Sequence, residues 1–435
     1  MDSGGFEQLQ QAVAHAAFHN SGERFDPPTC HPNTRTAVTD KIMHWILGLG
    51  ADDQNAVILW FYGPAGAGKS AIAQKIAEIC DIERLLLASF FFSRSDPTRC
   101  DAKSLMSTIA YQITTNFLET REIVVAAIDR DPLIFTRSLE AQVKVLIVDP
   151  LRELLNAGRF STPSSRRLII IDGLDECDTA DVQCKILTVI SLLFQRYRLP
   201  LLVLVASRPE QHLTHAFNSG ALPEFRTTLA LDNTYQPDND IRLFLNDSFV
   251  QVKESHPMKH YVDPSWPSVD VLDALVKKSS GQFIYASTVV KYVSSIRHKP
   301  MDRLDVILGI RPPRNARELP FGELDTLYRH IFSTVEDKEF VLLILGFRLI
   351  HPDAYMNLES LELFFFLNRG DIEILFFDLS SIVSIDGSVI RILHASLGDF
   401  LLDATRSKDF HIDVSSIHST CAHLCFQHNK PCKSL

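Results

Sequence analysis

The segment Gly63–Ser70, GPAGAGKS, constrains the fold of this chain more than any other feature of its sequence. It matches the pattern G-x-x-x-x-G-K-[ST], follows the apolar run AVILWFY and opens the helix-like segment KSAIAQKIAE. A continuous apolar run of this length is typical of a strand buried on both faces of a parallel sheet. Glycines allow backbone N–H groups to turn inward around an anion, and a helix that begins there adds the positive end of its dipole. The segment therefore predicts a strand, a loop and a helix that together bind the phosphates of a nucleotide.

The pattern assigns a contact with the nucleotide to every residue of the loop. Lys69 is expected to neutralise the outer phosphates, and Ser70 is expected to ligate Mg²⁺. The predicted binding residues are Gly63, Pro64, Ala65, Gly66, Ala67, Gly68, Lys69 and Ser70.

A second apolar run ends in a group of acids, RRLIIIDGLDECD, about a hundred residues after the loop. Asp172 stands directly at the predicted strand end and is expected to hold Mg²⁺, directly or through water. Asp175 and Glu176 come one turn later, where either carboxylate could polarise an attacking water. The alternative is a solvated acidic turn without chemistry, which the neighbouring phosphate loop makes the weaker interpretation.

A third polar residue, Arg208, directly follows the apolar run LPLLVLVAS. The strand ends of a parallel sheet share one edge, so this side chain is expected near the phosphates, where an arginine can sense or stabilise charge. The alternative left open is an arginine that caps its own loop or pairs with Asp175 or Glu176.

The strand-like runs alternate with helix-like segments from about residue 37 to 231. Three of them are named above, and two more are LLLASFFF (85–92) and the weaker FRTTLAL (225–231). This alternation predicts a three-layer α/β domain with a parallel sheet. The extra strand expected between the loop strand and the Asp172 strand is typical of P-loop ATPases of the ASCE type.

Outside this core, residues 1–36 are interpreted as an N-terminal helix and linker, and 232–315 as a helical domain. Residues 311–320, RPPRNARELP, are a candidate hinge. Helices followed by two short strand-like runs around the turn DGS favour a winged-helix domain over 316–412. Residues 413–435 are expected to be the stub of a further helix.

Composition narrows the classes of partner. The net charge of −10 argues against a broad nucleic-acid-binding face. No apolar run approaches the ~18 residues of a membrane span, and the N-terminus lacks a secretory signal. The 8 cysteines therefore suit a reduced, cytoplasmic protein. The tail CAHLCFQHNKPC could offer a zinc site, although its spacing favours an amphipathic helix.

Several classes of P-loop protein lack support in this chain. The guanine-reading N-K-x-D element of small GTPases is missing, although ATP and GTP remain open as ligands. No LSGGQ-like segment indicates a transporter ATPase, and no second P-loop or nucleic-acid module indicates a helicase.

Four segments together resemble the NACHT domain of fungal NLR-like proteins, a branch of the STAND class of signalling NTPases. They are GPAGAGKSAIAQKIAE, SFFFSRSDPTRCDAKSLMSTIAYQI, LIIIDGLDECD and LLVLVASRPE. Further matches, among them RFDPPTCHPNTR, SGQFIYASTVVKYV and RILHASLGDFLLD, extend the resemblance over about residues 18 to 413.

The resemblance implies an NTPase core, a helical domain and a winged helix that folds over the nucleotide. It places His394, in HASLGDFL, at the position that contacts the β-phosphate of bound ADP in related proteins. Thr34 and Arg35 occupy the segment that lies near the base and ribose, the alternative being a cap on the helix TAVTDKIMHWI. Family members usually carry an N-terminal effector and C-terminal repeats, for which the residues flanking this core are expected to be too few.

The leading hypothesis is a signalling switch, closed with ADP and able to self-associate through its NACHT domain with ATP. The resemblance implies a role in fungal innate immunity, non-self recognition or programmed cell death, with signalling partners that the sequence leaves unidentified. Hydrolysis, where it occurs, is expected to be slow. The alternatives are an ordinary ATPase with steady turnover, and a nucleotide-stabilised scaffold or truncated adaptor without catalysis.

Overall fold

The structure, a computed structural model, describes most of the chain and divides it into two compact units. The first contains Met1–Gly63 and Gly68–Tyr235, and the second contains Pro64–Ala67 and Gln236–Leu435. The described residues are 4–24, 28–49, 56–94, 96–159, 166–220, 222–296, 298–310, 321–351, 356–379, 382–386, 389–393 and 396–428.

A five-stranded parallel sheet forms the centre of the first unit. Its strands are β1 (Ile58–Tyr62), β2 (Leu86–Phe91), β3 (Arg167–Asp172), β4 (Leu201–Ser207) and β5 (Arg226–Ala230). Their order is β2-β3-β4-β1-β5, so β4 lies between the loop strand and the Asp172 strand. The predicted fold class, a parallel α/β sheet of the P-loop NTPase type, is confirmed.

Helices cover the sheet and account for its apolar strands. Every residue of β2 and β4 is buried, whereas the edge strand β5 is only partly buried and has the mixed sequence RTTLA. The helices are α1 (Gly4–Gln11), α2 (Thr36–Leu47), α3 (Lys69–Ile82), α4 (Leu105–Asn116), α5 (Glu119–Arg130), α6 (Leu139–Val143), α7 (Asp149–Asn156), α8 (Ala180–Gln195), α9 (Gln211–Asn218) and α10 (Leu222–Phe225). A π-helical turn, Lys144–Val148, joins α6 to α7.

The segment before α2, which the sequence suggests is a helix and linker, is part of the core of the first unit. Leu9 and Ala17 are completely buried in the main apolar cluster. Its backbone is also bonded to neighbouring elements: Ala14 N–H donates to Thr108 Oγ1 at 3.0 Å and His19 N–H donates to Ser89 Oγ at 3.0 Å. The segment is thus held by both apolar packing and hydrogen bonds.

The exposed edge of β2 is closed by side chains of α4 instead of another strand. Gln112 Oε1 accepts from Ser89 N–H at 2.9 Å, and its Nε2 donates to Ser89 O at 2.9 Å. Asn116 Nδ2 donates to Leu87 O at 2.8 Å. The Gln112 amide therefore imitates a peptide group of a neighbouring strand and satisfies backbone groups that an edge strand leaves unpaired.

The second unit is mainly helical. Its helices are α11 (Pro237–Ser255), α12 (Val269–Ser279), α13 (Phe283–Val293), α14 (Pro300–Ile307), α15 (Gly322–Ser333), α16 (Lys338–Ile350), α17 (Leu358–Phe364), α18 (Asp371–Leu375), α19 (Ser396–Leu401), α20 (Ala404–Ser407) and α21 (Val414–His428). Strands β6 (Val383–Asp386) and β7 (Val389–Ile392) form an antiparallel pair. Inside this unit, Arg406 on α20 makes a buried ion pair with Asp325 on α15, Nη2 to Oδ1 at 2.7 Å. The candidate hinge 311–320 lies outside the described residues.

Two sequence-based expectations concern membranes and metals. Across the described ranges, no helix is long and apolar enough to cross a membrane. In the same part of the chain, no group of three or more His, Cys, Asp or Glu side chains is arranged to hold a metal ion. Cys421 and Cys425 lie on α21, whereas Cys432 lies outside the described residues.

Replacing Gln112 with alanine is expected to lower the free energy of unfolding by about 1–3 kcal/mol, because Ser89 N–H and C=O would lose their partners at a buried position. Urea unfolding followed by circular dichroism measures the change. Gln195→Ala, at the exposed end of α8, is the matched control and is expected within about 0.5 kcal/mol of the wild type. Equal stabilities of the two variants would contradict the role given to the Gln112 amide.

Candidate functional site

Three strand ends that are far apart in sequence meet at one edge of the sheet. Tyr62 of β1 pairs in register with Ser207 of β4, and Asp172 of β3 pairs with Ala206. The parallel direction of these strands places the next residues along the chain at the same edge. The phosphate loop, the acidic turn and Arg208 are therefore brought together, as the sequence predicts.

The loop has a backbone that glycine accommodates. Gly68 is the N-cap of α3 with φ +97°, and Gly66 has φ +73°. A Cβ on Gly66 would lie 2.3 Å from Ile284 Cγ2, and Ile284 N–H donates to Gly66 O at 3.3 Å. Positive φ is strained for residues with a side chain, so both positions favour glycine for backbone reasons.

Lys69, at the first position of α3, lies against the loop. Its Nζ donates to Gly63 O at 2.8 Å. Desolvation lowers the pKa of Lys69 to about 8, with the charges of Asp175 and Asp172 opposing the shift. An ammonium group whose charge is disfavoured by desolvation is stabilised when an anion binds beside it.

Ser70 and Asp172 form a pair of oxygen donors. Asp172 is 3% exposed and accepts a hydrogen bond from the Ser70 hydroxyl. Burial raises the pKa of Asp172 to about 7, and the bond from Ser70 opposes this rise. Carboxylate and other oxygens are the donors that Mg²⁺ prefers, so the residues present fit this ion.

Asp175 is paired with Arg208. Arg208 Nε lies 3.2 Å from Asp175 Oδ2, and the Arg208 N–H donates to Asp175 Oδ1 at 2.9 Å. Asp175 is 2% exposed, so both of its carboxylate oxygens are engaged in a buried interaction. Of the interpretations that the sequence left open for Arg208, pairing with an acid is the one seen in this structure.

Glu176 keeps partial access to solvent. Its Oε2 accepts from the Arg94 N–H at 3.2 Å. Burial, followed by the negative charge of Asp175, raises the pKa of Glu176 above its ordinary value. The two neighbouring acids therefore differ: Asp175 is buried in an ion pair, whereas Glu176 is half-buried with one backbone N–H oriented at its carboxylate.

Sequence reasoning missed three polar residues of this region. Arg94 Nη2 donates to Asp175 O at 2.6 Å, and Gln183 Nε2 donates to the same oxygen at 3.3 Å. His212 Nε2 lies 2.6 Å from Gln183 Oε1. The position of Arg94 just after a buried strand was a usable signal, whereas polar residues near the starts of helices, such as Gln183 and His212, carry no motif.

Thr34 and Arg35, which the resemblance places near the base and ribose, lie just before α2. Thr34 is completely buried, and its hydroxyl donates to His31 O at 2.7 Å. The N-cap of α2 is Arg35 with φ +57°, and its side chain makes no capping hydrogen bond. Thr34 therefore does not cap α2 in this structure. His394 lies outside the described residues.

Comparisons with known proteins support the fold. The family model described as the N-terminal part of nephrocystin 3 matches residues 39–208, which include the loop, the acids and Arg208. No curated protein matches the chain. Among solved structures, the Walker-type ATPase PABY2304 of Pyrococcus abyssi is 12% identical, with a TM-score of 0.52 over 86% of this chain and 98% of that chain.

Two other solved structures are less similar in shape. The ORC2 protein of Aeropyrum pernix is 11% identical, with a TM-score of 0.44 over 93% of this chain and 97% of that one. The RuvB Holliday junction branch migration motor of Thermotoga maritima is 12% identical, with a TM-score of 0.34 over 82% of this chain and 91% of that one. With the family model and the sheet order, the similarity to the Pyrococcus protein shows that the chain has the fold of P-loop NTPases.

Asp172→Asn is expected to stabilise the nucleotide-free protein by at most about 4 kcal/mol above pH 7. The folded pKa of about 7 lies above the value of an unfolded aspartate, ~3.9, so the wild type loses stability as pH rises between these values. The asparagine does not ionise and avoids this loss, which thermal unfolding at several pH values measures.

Asp178→Asn, in the same turn but exposed, is the control and is expected to follow the wild type. A nucleotide-free Asp172→Asn protein that unfolds at a lower temperature than the control at pH 7.5 would refute the burial argument. Added MgADP is expected to raise the unfolding temperature of the control but not of Asp172→Asn.

Proposed function

We propose that this protein is a nucleotide-dependent signalling switch that binds ATP or ADP with Mg²⁺ at the loop Gly63–Ser70. The observation that carries the proposal is the convergence of Lys69, the Ser70–Asp172 pair, Glu176 and Arg208 at one sheet edge. Each of these groups has a recognised use in handling phosphates, and they come from three different strand ends.

The loop and Lys69 would hold the phosphates. The backbone N–H groups of the loop and the start of α3 provide an anion site, to which the ammonium of Lys69 adds charge. Ser70 and Asp172 would hold the metal. Bound Mg²⁺ supplies charge neutralisation on phosphate oxygens.

Glu176 is the better candidate for the general base. A base must be reachable by water and have a pKa near the working pH, and Glu176 is half-buried with a raised pKa. Asp175 is less reachable by water, because it is 2% exposed and Arg208 engages both of its oxygens. We therefore assign Glu176 to water activation and Asp175 to holding Arg208.

Arg208 gives the site a way to distinguish nucleotides. Its guanidinium lies at the phosphate edge but is paired with Asp175 in this structure. A terminal phosphate would compete with Asp175 for the same guanidinium, so the pair would respond to the presence of that phosphate. This competition favours a switch, and Arg208 is proposed as its sensor.

The resemblance to fungal NACHT proteins supplies the finer proposal. The second unit would comprise a helical domain and a winged helix, with His394 contacting the β-phosphate of ADP and Thr34 and Arg35 near the base and ribose. The ATP form would self-associate through the NACHT domain in the cytoplasm and engage a signalling partner. The biological setting proposed is fungal innate immunity, non-self recognition or programmed cell death.

Native mass measurement of the purified protein is the main test of this proposal. The expected result is a monomer that carries ADP and a larger assembly after exchange for ATP with Mg²⁺, because only differential affinity for the two states can shift them. Lys69→Ala is expected to lose the bound nucleotide, and His394→Ala is expected to bind ADP more weakly.

The alternatives give different results. The same mass with both nucleotides would favour a scaffold, and steady turnover within about 1–10³ s⁻¹ would favour an ordinary ATPase. Lys69→Ala protein that still carries nucleotide would refute the phosphate site. Unchanged ADP affinity in His394→Ala would remove the contact of His394 with ADP from the proposal.

Substitutions of the two neighbouring acids are expected to affect different properties, hydrolysis for Glu176 and stability for Asp175. Glu176→Gln should lower nucleotide hydrolysis by about 10²–10⁴-fold with little change in stability, because it removes a base but no buried partner. Asp175→Asn should cost about 3–5 kcal/mol of stability, because it leaves the Arg208 side chain, which is only 15% exposed, without its charge partner. Single-turnover hydrolysis and thermal unfolding of both variants measure this, and a stable Asp175→Asn with the larger loss of hydrolysis would reverse the assignment.

A further inference from the structure

The acidic turn joins β3 to α8, and side chains from outside the turn hold its backbone. Its three central residues, Leu174–Glu176, form a single 3-10 turn. Because a turn this short has few internal hydrogen bonds, the direction of the Glu176 side chain depends on what holds the adjoining backbone.

Gln183, in the first turns of α8, holds that backbone from both sides of Glu176. Its side chain is nearly inaccessible, at 3% exposed. Its Nε2 donates to Cys177 O at 2.8 Å and to Asp175 O at 3.3 Å. One amide nitrogen thus bonds to the carbonyl groups of the two residues that flank Glu176.

His212, on α9, is hydrogen-bonded to the oxygen of the Gln183 amide. His212 Nε2 lies 2.6 Å from Gln183 Oε1 and 3.8 Å from Glu210 Oε2. Both oxygens only accept, so this network assigns the ring proton to Nε2. A reversed amide would place its oxygen against two carbonyl oxygens and its nitrogen against the Nε2 proton. The two carbonyl oxygens therefore determine which way the Gln183 amide faces, and the His212 N–H donates to its oxygen in that orientation.

Arg94 completes the arrangement from the other side. Its Nη2 donates to Asp175 O at 2.6 Å, and its backbone N–H donates to Glu176 Oε2. Gln183 and Arg94 thus share one carbonyl oxygen, while Arg94 alone contacts the Glu176 carboxylate. Loss of Gln183 would remove its bond to Cys177 O, on one side of Glu176, and would leave Asp175 O, on the other side, with the bond from Arg94.

We infer that Gln183 and His212 are positioning residues that orient Glu176 for water activation, an inference that rests on the proposed hydrolytic function. Neither residue belongs to the phosphate loop or the acidic motif. They act through the backbone of the turn, and misplacement of a reacting group by about 1 Å can cost about 10²-fold in rate.

Four variants and two controls test the inference. Gln183→Met and His212→Leu remove the hydrogen bonds at similar volume, and the double variant removes both. His212→Gln keeps an amide N–H near the position of Nε2. The controls are Gln195→Met and His215→Leu, exposed residues on the same two helices.

Two readouts are needed, and one of them is independent of catalysis. The first is amide hydrogen exchange of residues 174–177 in the nucleotide-free protein. The second is the single-turnover hydrolysis rate together with the affinity for ATP. Gln183→Met and His212→Leu are expected to exchange faster in the turn and to hydrolyse about 10–100-fold more slowly with ATP affinity within about twofold. The double variant should be no slower than Gln183→Met, and His212→Gln should restore both readouts.

Unchanged exchange in Gln183→Met would overturn the inference, as would an unchanged hydrolysis rate in an active protein. A parallel loss of ATP affinity and rate would also overturn it, because that result indicates general damage to the site. Failure of the proposed function gives a different result: a wild type that binds ATP but shows no hydrolysis removes the hydrolytic step and this inference with it.

Discussion

Parallel pairing of β4 between β1 and β3 is the constraint on which the rest of the site depends. The register that aligns Tyr62 with Ser207 and Asp172 with Ala206 brings three strand ends to one edge. The backbone hydrogen bonds and the apolar packing of the sheet stabilise this alignment. The site residues can therefore be unfavourable for stability and still be held in place.

The unfavourable contribution of the site residues to stability comes from the charges at this edge. Burial or desolvation disfavours the charged forms of Lys69, Asp172 and Glu176. A phosphate and a divalent cation carry the complementary charges, so their binding would offset the penalty. Because the unfavourable charges of the nucleotide-free chain are offset when nucleotide binds, binding is coupled to stability. Such coupling is what a ligand requires if it is to shift a conformational equilibrium.

The parts that could be predicted from the sequence follow from rules that act along the chain. The loop pattern, the buried strand runs and the polar residues after them indicate the fold and bring Asp172 and Arg208 to one edge. The rest depends on contacts between distant elements. Gln112 closes the β2 edge, Leu9 and Ala17 pack in the core, and Gln183 is hydrogen-bonded to His212. An amide side chain has the same local sequence context whether it is exposed or buried against a carbonyl, so no motif distinguishes these cases.

The sequence offers Asp175 and Glu176 the same possible role, and their surroundings in the structure distinguish them. Asp175 points to the β4 end, where a cation and a backbone N–H engage both of its oxygens. Glu176, one residue later, accepts from the Arg94 N–H, and burial together with the charge of Asp175 raises its pKa. A buried, paired carboxylate thus lies beside a half-buried one, and this difference is the basis for proposing two separate roles. In the proposed function, Asp175 would control the position of Arg208, and Glu176 would accept a proton from water.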